Sequence, residues 1–184
     1  RVFVSSTYYD LKYVRASLEN FIESLGYEAV LSESGDIAYT PDDPLDESCY
    51  REARGAGILV LIIGGRYGSP TSSDQGEPSS KVIAHYESIT KREFENAIQN
   101  DVPCYILIEK DVLAEYRTFT KNRENEVNYA HVDSTNIFKF IDYIYSRRRN
   151  NPVFPFDHPA AIEDWLREQW AGFFRELLAR KTNE

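Results

Sequence analysis

The sequence has no methionine, only two cysteines in 184 residues, and no apolar run long enough to cross a bilayer. Its longest unbroken aliphatic stretch, Ile58 to Ile63, falls far short of the ~20 residues a membrane-spanning helix needs. Without even an initiator methionine, the chain reads as a piece of something longer. A strand-like Val2-Phe3-Val4 stands at once where a secretory signal would need a basic and then an apolar region, so no signal is expected. Cys49 and Cys104 form no CxxC pair and no zinc spacing. They read as free thiols of a reducing, cytoplasmic compartment, with Cys104 a small buried hydrophobe. His85, His131 and His158 have no metal-ligand spacing with one another. The dinucleotide GxGxxG, the Walker A GxxxxGK[ST] and the GxSxG elbow are all missing. Positive charge is scarce: 21 Lys and Arg stand against 30 Asp and Glu, a net charge of −9. The deficit is concentrated in the first 50 residues, which hold ten acids and three bases. Such a chain is a poor partner for a phosphate backbone. Arg147-Arg148-Arg149 reads as a solvated helix end, and neither nucleic acid nor membrane is an expected partner.

What is present is an ordinary globular composition, 42% hydrophobic and 14% aromatic, enough to fill a core. Four apolar runs read as strands: Val2-Phe3-Val4, Tyr27 to Leu31, Ile58 to Ile63 and Val102 to Ile108. The last two are nearly continuous, as strands covered on both faces are. Leu11, Val14, Leu18, Phe21, Ile22 and Leu25 mark one face of a helix that Gly26 closes. Pro44 to Arg54 predicts a second helix and Thr90 to Asn100 a third. The order β-α-β-α-β-loop-α-β implies a parallel sheet with helices on both faces. Gly64 to Ser80, rich in Gly, Ser and Pro, predicts a long loop of the kind that often carries function. Beyond it, helices are expected over Asp111 to Glu126 and Ile137 to Arg148. Pro152, Pro155 and Pro159 then break the chain, and an amphipathic helix runs from Ile162 to Leu178. Residues 1–110 thus form an α/β core, and 111–184 a helical extension packed on it. Trp165 and Trp170 lie five apart, so they do not share a narrow stripe. Either both are buried or one is exposed and marks an interface.

Ligands of open parallel sheets bind beyond the carboxyl ends of the strands, where strand order reverses. That rule selects three places. Ser5, Ser6 and Thr7 end the first strand, where hydroxyls and unpaired N–H groups suit an anion; the plain alternative is that Thr7 or a neighbour caps the first helix. Gly64, Gly65 and Gly68 permit close backbone approach, Arg66 can fork onto phosphate or carboxylate, and Tyr67 can stack on a base. The alternative there is a turn with a surface ion pair. Glu93 is the third. Thr90-x-x-Glu93 has capping-box spacing, which by itself accounts for the carboxylate. In a cleft the same group can stabilise an oxocarbenium-like ribose or attack it.

The combination Val2-Phe3-Val4-Ser5-Ser6-Thr7-x-x-Asp10-Leu11, Gly64-Gly65-Arg66-Tyr67-Gly68 and Ser88-x-Thr90-x-x-Glu93-Phe94-x-x-Ala97 resembles the domain of unknown function 4062 family. The resemblance spans roughly residues 1–110. It implies a domain at the head of a larger protein, often ahead of STAND-type ATPase and repeat regions, and hence an effector or signalling role, as in anti-phage defence. A more distant resemblance is to Toll/interleukin-1 receptor (TIR) domains and nucleoside 2-deoxyribosyltransferases. It implies a flavodoxin-like, TIR-like parallel sheet of four to five strands with helices on both faces. It also makes Glu93, on Glu93-Phe94-x-x-Ala97-Ile98 ahead of Val102-Pro103-Cys104, the candidate catalytic residue. Ser5-Ser6-Thr7 and the Gly-Arg-Tyr-Gly loop depart from the TIR pattern.

Two functions from different classes follow. The first is cleavage of the N-glycosidic bond of NAD or a related nucleotide, with NAD as substrate and no cofactor. Glu93 would be the catalytic group, and Ser5, Ser6, Thr7, Gly65, Arg66 and Tyr67 would bind substrate. The second is a non-catalytic module that self-assembles into a homo-oligomer or docks other domains of a parent chain, or a nucleotide sensor without turnover.

Overall fold

The computed structural model describes residues 1–7, 11–31, 37, 41–42, 45–65 and 80–182, with backbone alone at 45–46 and 80–88. In chain order the elements are β1 (Val2–Ser6), α1 (Lys12–Ser24), β2 (Ala29–Leu31), α2 (Leu45–Gly55), β3 (Ile58–Ile63) and α3 (Ser80–Gln99). They continue as β4 (Cys104–Glu109), α4 (Lys110–Lys121), α5 (Thr135–Ser146), β5 (Val153–Phe156) and α6 (Pro159–Thr182). All five strands are parallel, in the order β2-β1-β3-β4-β5. This is the flavodoxin-like arrangement. The chain leaves β1 toward β2 and then returns past it to β3, so strand order reverses between β1 and β3.

Alternation along each strand divides the core in two. Phe3, Leu59, Leu61, Ile63, Ile106 and Ile108 face one side, where Phe94 and Ala97 of α3, Ala53 of α2 and Ile137 and Ile141 of α5 cover them. Val2, Val4, Val60, Ile62, Tyr105 and Leu107 face the other, covered by Leu18, Phe21 and Ile22 of α1 and Ile162, Leu166 and Trp170 of α6. A sheet wrapped this way needs the near-continuous apolar strands that the sequence supplies. Helix α1 ends as its sequence predicts. Gly26 adopts φ 79°, its N–H donates to Glu23 O at 2.9 Å, and the Tyr27 N–H donates to Ile22 O at 3.2 Å. That pair of bonds is a Schellman closure.

Two elements differ from the sequence reading. Residues 111–184 are not helical throughout, because Val153–Phe156 adds β5 to the sheet edge, in register Ile106↔Val153 to Glu109↔Phe156. Pro155 lacks an N–H and reads as a breaker, but an edge strand tolerates it because one side of its ladder needs no partner. Helix α3 begins at Ser80, ten residues before the expected Thr90. Nothing between Ser80 and Gln99 is Gly or Pro, so no local signal stops the helix from extending backward.

Both tryptophans are packed. Trp170 is buried and stacks on Phe21 at 5.8 Å, while half-buried Trp165 stacks on Phe154 of β5 at 4.9 Å. Cys49 and Cys104 are buried and not joined in a disulfide, and burial pushes the Cys104 thiol up to about 12, which leaves it unreactive at neutral pH. Among the described residues no helix is long and apolar enough to cross a membrane.

If β5 is part of the core, Phe156→Ala costs about 3–5 kcal/mol, as for other buried phenylalanines. Urea unfolding followed by circular dichroism measures it; a cost under about 1 kcal/mol would mean that β5 is not part of the cooperative sheet.

Candidate functional site at the end of the first strand

The last residues of β1 sit beside the reversal of strand order, and the hydroxyls of Ser5, Ser6 and Thr7 each make a hydrogen bond there. Ser5 shares the Phe3 face of the strand, the face that α3 covers. Its hydroxyl donates to Glu93 Oε2 at 2.5 Å. Ser5 is fully buried and Glu93 is 2% exposed. Ser6 shares the opposite face with Val4, and its hydroxyl accepts from Arg15 Nη1 of α1 at 2.8 Å. The Ser6 carbonyl accepts from Thr90 Oγ1 at 3.1 Å. One turn of α3 therefore holds β1 twice, once through its backbone and once through a side chain.

These contacts correct the capping-box reading. Thr90 lies in the middle of α3, so Glu93 has no helix end to cap, and the Thr90 hydroxyl is spent on β1. Thr7 is likewise not the cap of α1, whose N-cap is Leu11 with no side-chain bond. The Thr7 N–H instead donates to Ile62 O at 3.0 Å, which continues the β1–β3 ladder and removes that N–H as an anion donor. Its hydroxyl accepts from the Gly64 N–H at 3.1 Å and donates to the Gly64 carbonyl at 3.4 Å. The ends of β1 and β3 are thereby clamped together.

Beyond β3 the glycines serve close packing within the chain. The Gly65 N–H donates to Glu109 Oε2 at 3.2 Å, and its carbonyl accepts from the Asp133 N–H at 3.0 Å. A Cβ on Gly65 would overlap the carbonyl oxygen of His131. The backbone approach that the sequence implies is real, but it is made to the 131–133 segment. Arg66, Tyr67 and Gly68 lie outside the described residues.

The structure thus gathers Ser5, Ser6, Thr7, Gly64, Gly65, Thr90 and Glu93 at neighbouring strand ends. It adds two groups that the sequence reading missed. Arg15, 7% exposed, stands four residues after Leu11 and three before Leu18. A charged residue on an apolar helical face is a legible signal. Glu109 ends β4, at the carboxyl edge that the reading searched only after the first and third strands. Among the described residues no group of three or more His, Cys, Asp and Glu side chains could hold a metal ion.

The two glycines differ in what they press against. Gly65→Ala meets backbone and should cost about 1–3 kcal/mol, with a matching fall in the urea midpoint. Gly64→Ala meets the Glu109 carboxylate at 3.0 Å and the Leu11 methyl at 3.2 Å. Those side chains can give way, so its cost should be the smaller. The reverse order would contradict the packing of Gly65 on His131.

In comparison with known proteins, the family described as Domain of unknown function (DUF4062) matches residues 1–171. No curated protein matches the chain.

Proposed function

The chain belongs to the DUF4062 family, and from that premise we propose that it is an effector or signalling domain that cleaves the N-glycosidic bond of NAD or a related nucleotide. One observation carries the reading. Glu93 is a buried carboxyl group with no capping duty, oriented by the Ser5 hydroxyl at the reversal of strand order. The likeness of the Glu93 segment to TIR domains and nucleoside 2-deoxyribosyltransferases supports it, and so does the sheet order.

The chemistry needs little else. In NAD the nicotinamide ring is already cationic, so the C–N bond breaks with its electron pair leaving on nicotinamide and no general acid is required. Positive charge develops on the ribose. A carboxylate beside it stabilises that charge or attacks C1′ transiently. Water then adds at C1′ and loses a proton, giving ADP-ribose. In this scheme Ser5 holds Glu93 in place and Ser6 takes a phosphate or ribose oxygen; Arg66 and Tyr67, expected from the sequence to bind substrate, lie outside the described residues.

A different observation favours the second reading, an interaction module. Phe174, Leu177 and Leu178 of α6 are 60%, 46% and 51% exposed. They stand at helical spacing, and an apolar stripe of this kind marks a contact surface.

The first reading is tested by nicotinamide release from NAD at high protein concentration, with Glu93→Gln in parallel. Gln keeps an acceptor for the Ser5 hydroxyl and removes the charge. Release should fall about 100-fold or more, the scale of losing a main electrostatic group. Equal release from both proteins would contradict a catalytic Glu93. No release from either, with a dimer that Phe174→Glu dissolves, would favour the interaction module.

A further inference from the structure

Helices α4 and α5 are joined by residues 122–134, which form neither helix nor strand. A connection of this length inside a compact domain is uncommon and tends to carry function. Its start is pinned by Arg123, which forks onto Asp142 of α5 at 2.7 and 2.8 Å. Its latter part crosses the carboxyl edge of the sheet beyond β3. There the Asp133 N–H donates to the Gly65 carbonyl at 3.0 Å, and the His131 carbonyl lies where a Cβ of Gly65 would be. Glu115 of α4 holds this part from the other side. Its carboxylate accepts from the Ala130 N–H at 2.7 Å and, through both oxygens, from the His131 N–H at 3.1 Å. Val132 alone in 122–134 is buried, and Tyr129 sets its ring edge-on to Phe138 at 4.8 Å. Exposed Asp111 stands 3.9 Å from His131 Nδ1, a surface contact worth little. The close backbone approach that Gly65 permits is thus taken by the chain itself, and a ligand can use it only once this segment has moved.

We propose that residues 129–133 are a strap, latched by Glu115, that closes the carboxyl edge beyond β3 and lifts to give a ligand access to Gly65. The latch is one carboxylate shared between two successive N–H donors. Hydrogen bonds to an ionised group are roughly twice as strong as neutral ones. The rest of the strap's hold is slight: one buried valine, one aromatic edge contact and the bond to Gly65. The strands beneath it, β3 and β4, are buried and paired on both sides. Segments with few buried contacts open at a lower free energy than core strands. The strap therefore opens as a unit while the sheet stays folded. The Thr7 clamp on Gly64 belongs to the sheet and does not open with it. The inference goes beyond the glycosidase reading, since it concerns access to the edge whatever the ligand.

Amide hydrogen exchange of the purified chain, read residue by residue by NMR, tests this in wild type and Glu115→Ala. Alanine suits a helix interior, and circular dichroism confirms that the variant is folded. The Ala130, His131 and Asp133 amides should exchange about tenfold to a hundredfold faster in the variant, the range of a lost hydrogen bond to a charged group. The amides of β3 and β4 should keep their wild-type rates. Glu115→Gln, which keeps an acceptor oxygen without the charge, should fall between. The Asp133 amide decides the matter, because its partner is Gly65 and not Glu115. Acceleration of Ala130 and His131 alone would mean that Glu115 only satisfies two amides, and the strap is overturned. No acceleration, or equal acceleration throughout the sheet, overturns it too. The exchange experiment uses no ligand, so its outcome stands apart from that of the glycosidase test. With NAD as the probe at low concentration, Glu115→Ala should raise nicotinamide release by up to about tenfold, as the open fraction rises. Accelerated exchange with no release from either protein would keep the strap and remove the glycosidase. Accelerated exchange with unchanged release would overturn the strap's control of access.

Discussion

A carboxyl group taken out of water must be hydrogen-bonded, because its lost solvation otherwise costs several kcal/mol. At Glu93 the Ser5 hydroxyl supplies a hydrogen bond to one of the two carboxyl oxygens, and much of the site depends on the bond. It fixes the rotation of α3 relative to β1, so that Thr90 one turn earlier reaches the Ser6 carbonyl. With α3 locked on one face, Phe94 and Ala97 fall into the core below Glu93. The same helix turn thus binds the strand end, fills the core and presents the carboxyl group.

The rest of the strand-end geometry follows from β1 being paired on both sides, with β2 and β3. A doubly paired strand has little freedom to slide, so consecutive residues at its end keep a fixed alternation. Ser5 serves one face and Ser6 the other. Thr7 then ties β1 to Gly64, and Gly65 is wedged between Glu109 and the 131–133 segment. Three strand ends and two connections are held as one unit. Rigid placement of this kind is what electrostatic stabilisation of a developing charge requires, since a group that must reorient loses most of its effect.

Most of this fold was legible in the sequence because its strands are apolar throughout and its first helix is patterned and properly closed. The hydrophobic pattern of Ile58 to Ile63 and Val102 to Ile108 left little choice of element. Two misreadings share a cause. Val153–Phe156 is short and holds a proline, and Ser80 closes a Gly-, Ser- and Pro-rich run that reads as loop, so tertiary pairing and continuation of the helix decided what local signals did not. The site was legible in part. Ser5 and Glu93, 88 residues apart, stand in separate sequence motifs and touch in the fold. The error about Thr90 came from reading a local spacing as a cap, when the hydroxyl serves a distant strand. Arg15 was hidden by the apolar residues around it, although its position on their face was itself the clue.

The central claim is that Ser5 and Glu93 act as a bonded pair that holds α3 to the end of β1. A double-mutant cycle with Ser5→Ala, Glu93→Ala and the double variant, followed by urea unfolding at neutral pH, measures their coupling directly. The account predicts a coupling of about 1.5–3 kcal/mol, the range of a hydrogen bond to a charged group. Additive effects within about 0.5 kcal/mol would contradict it.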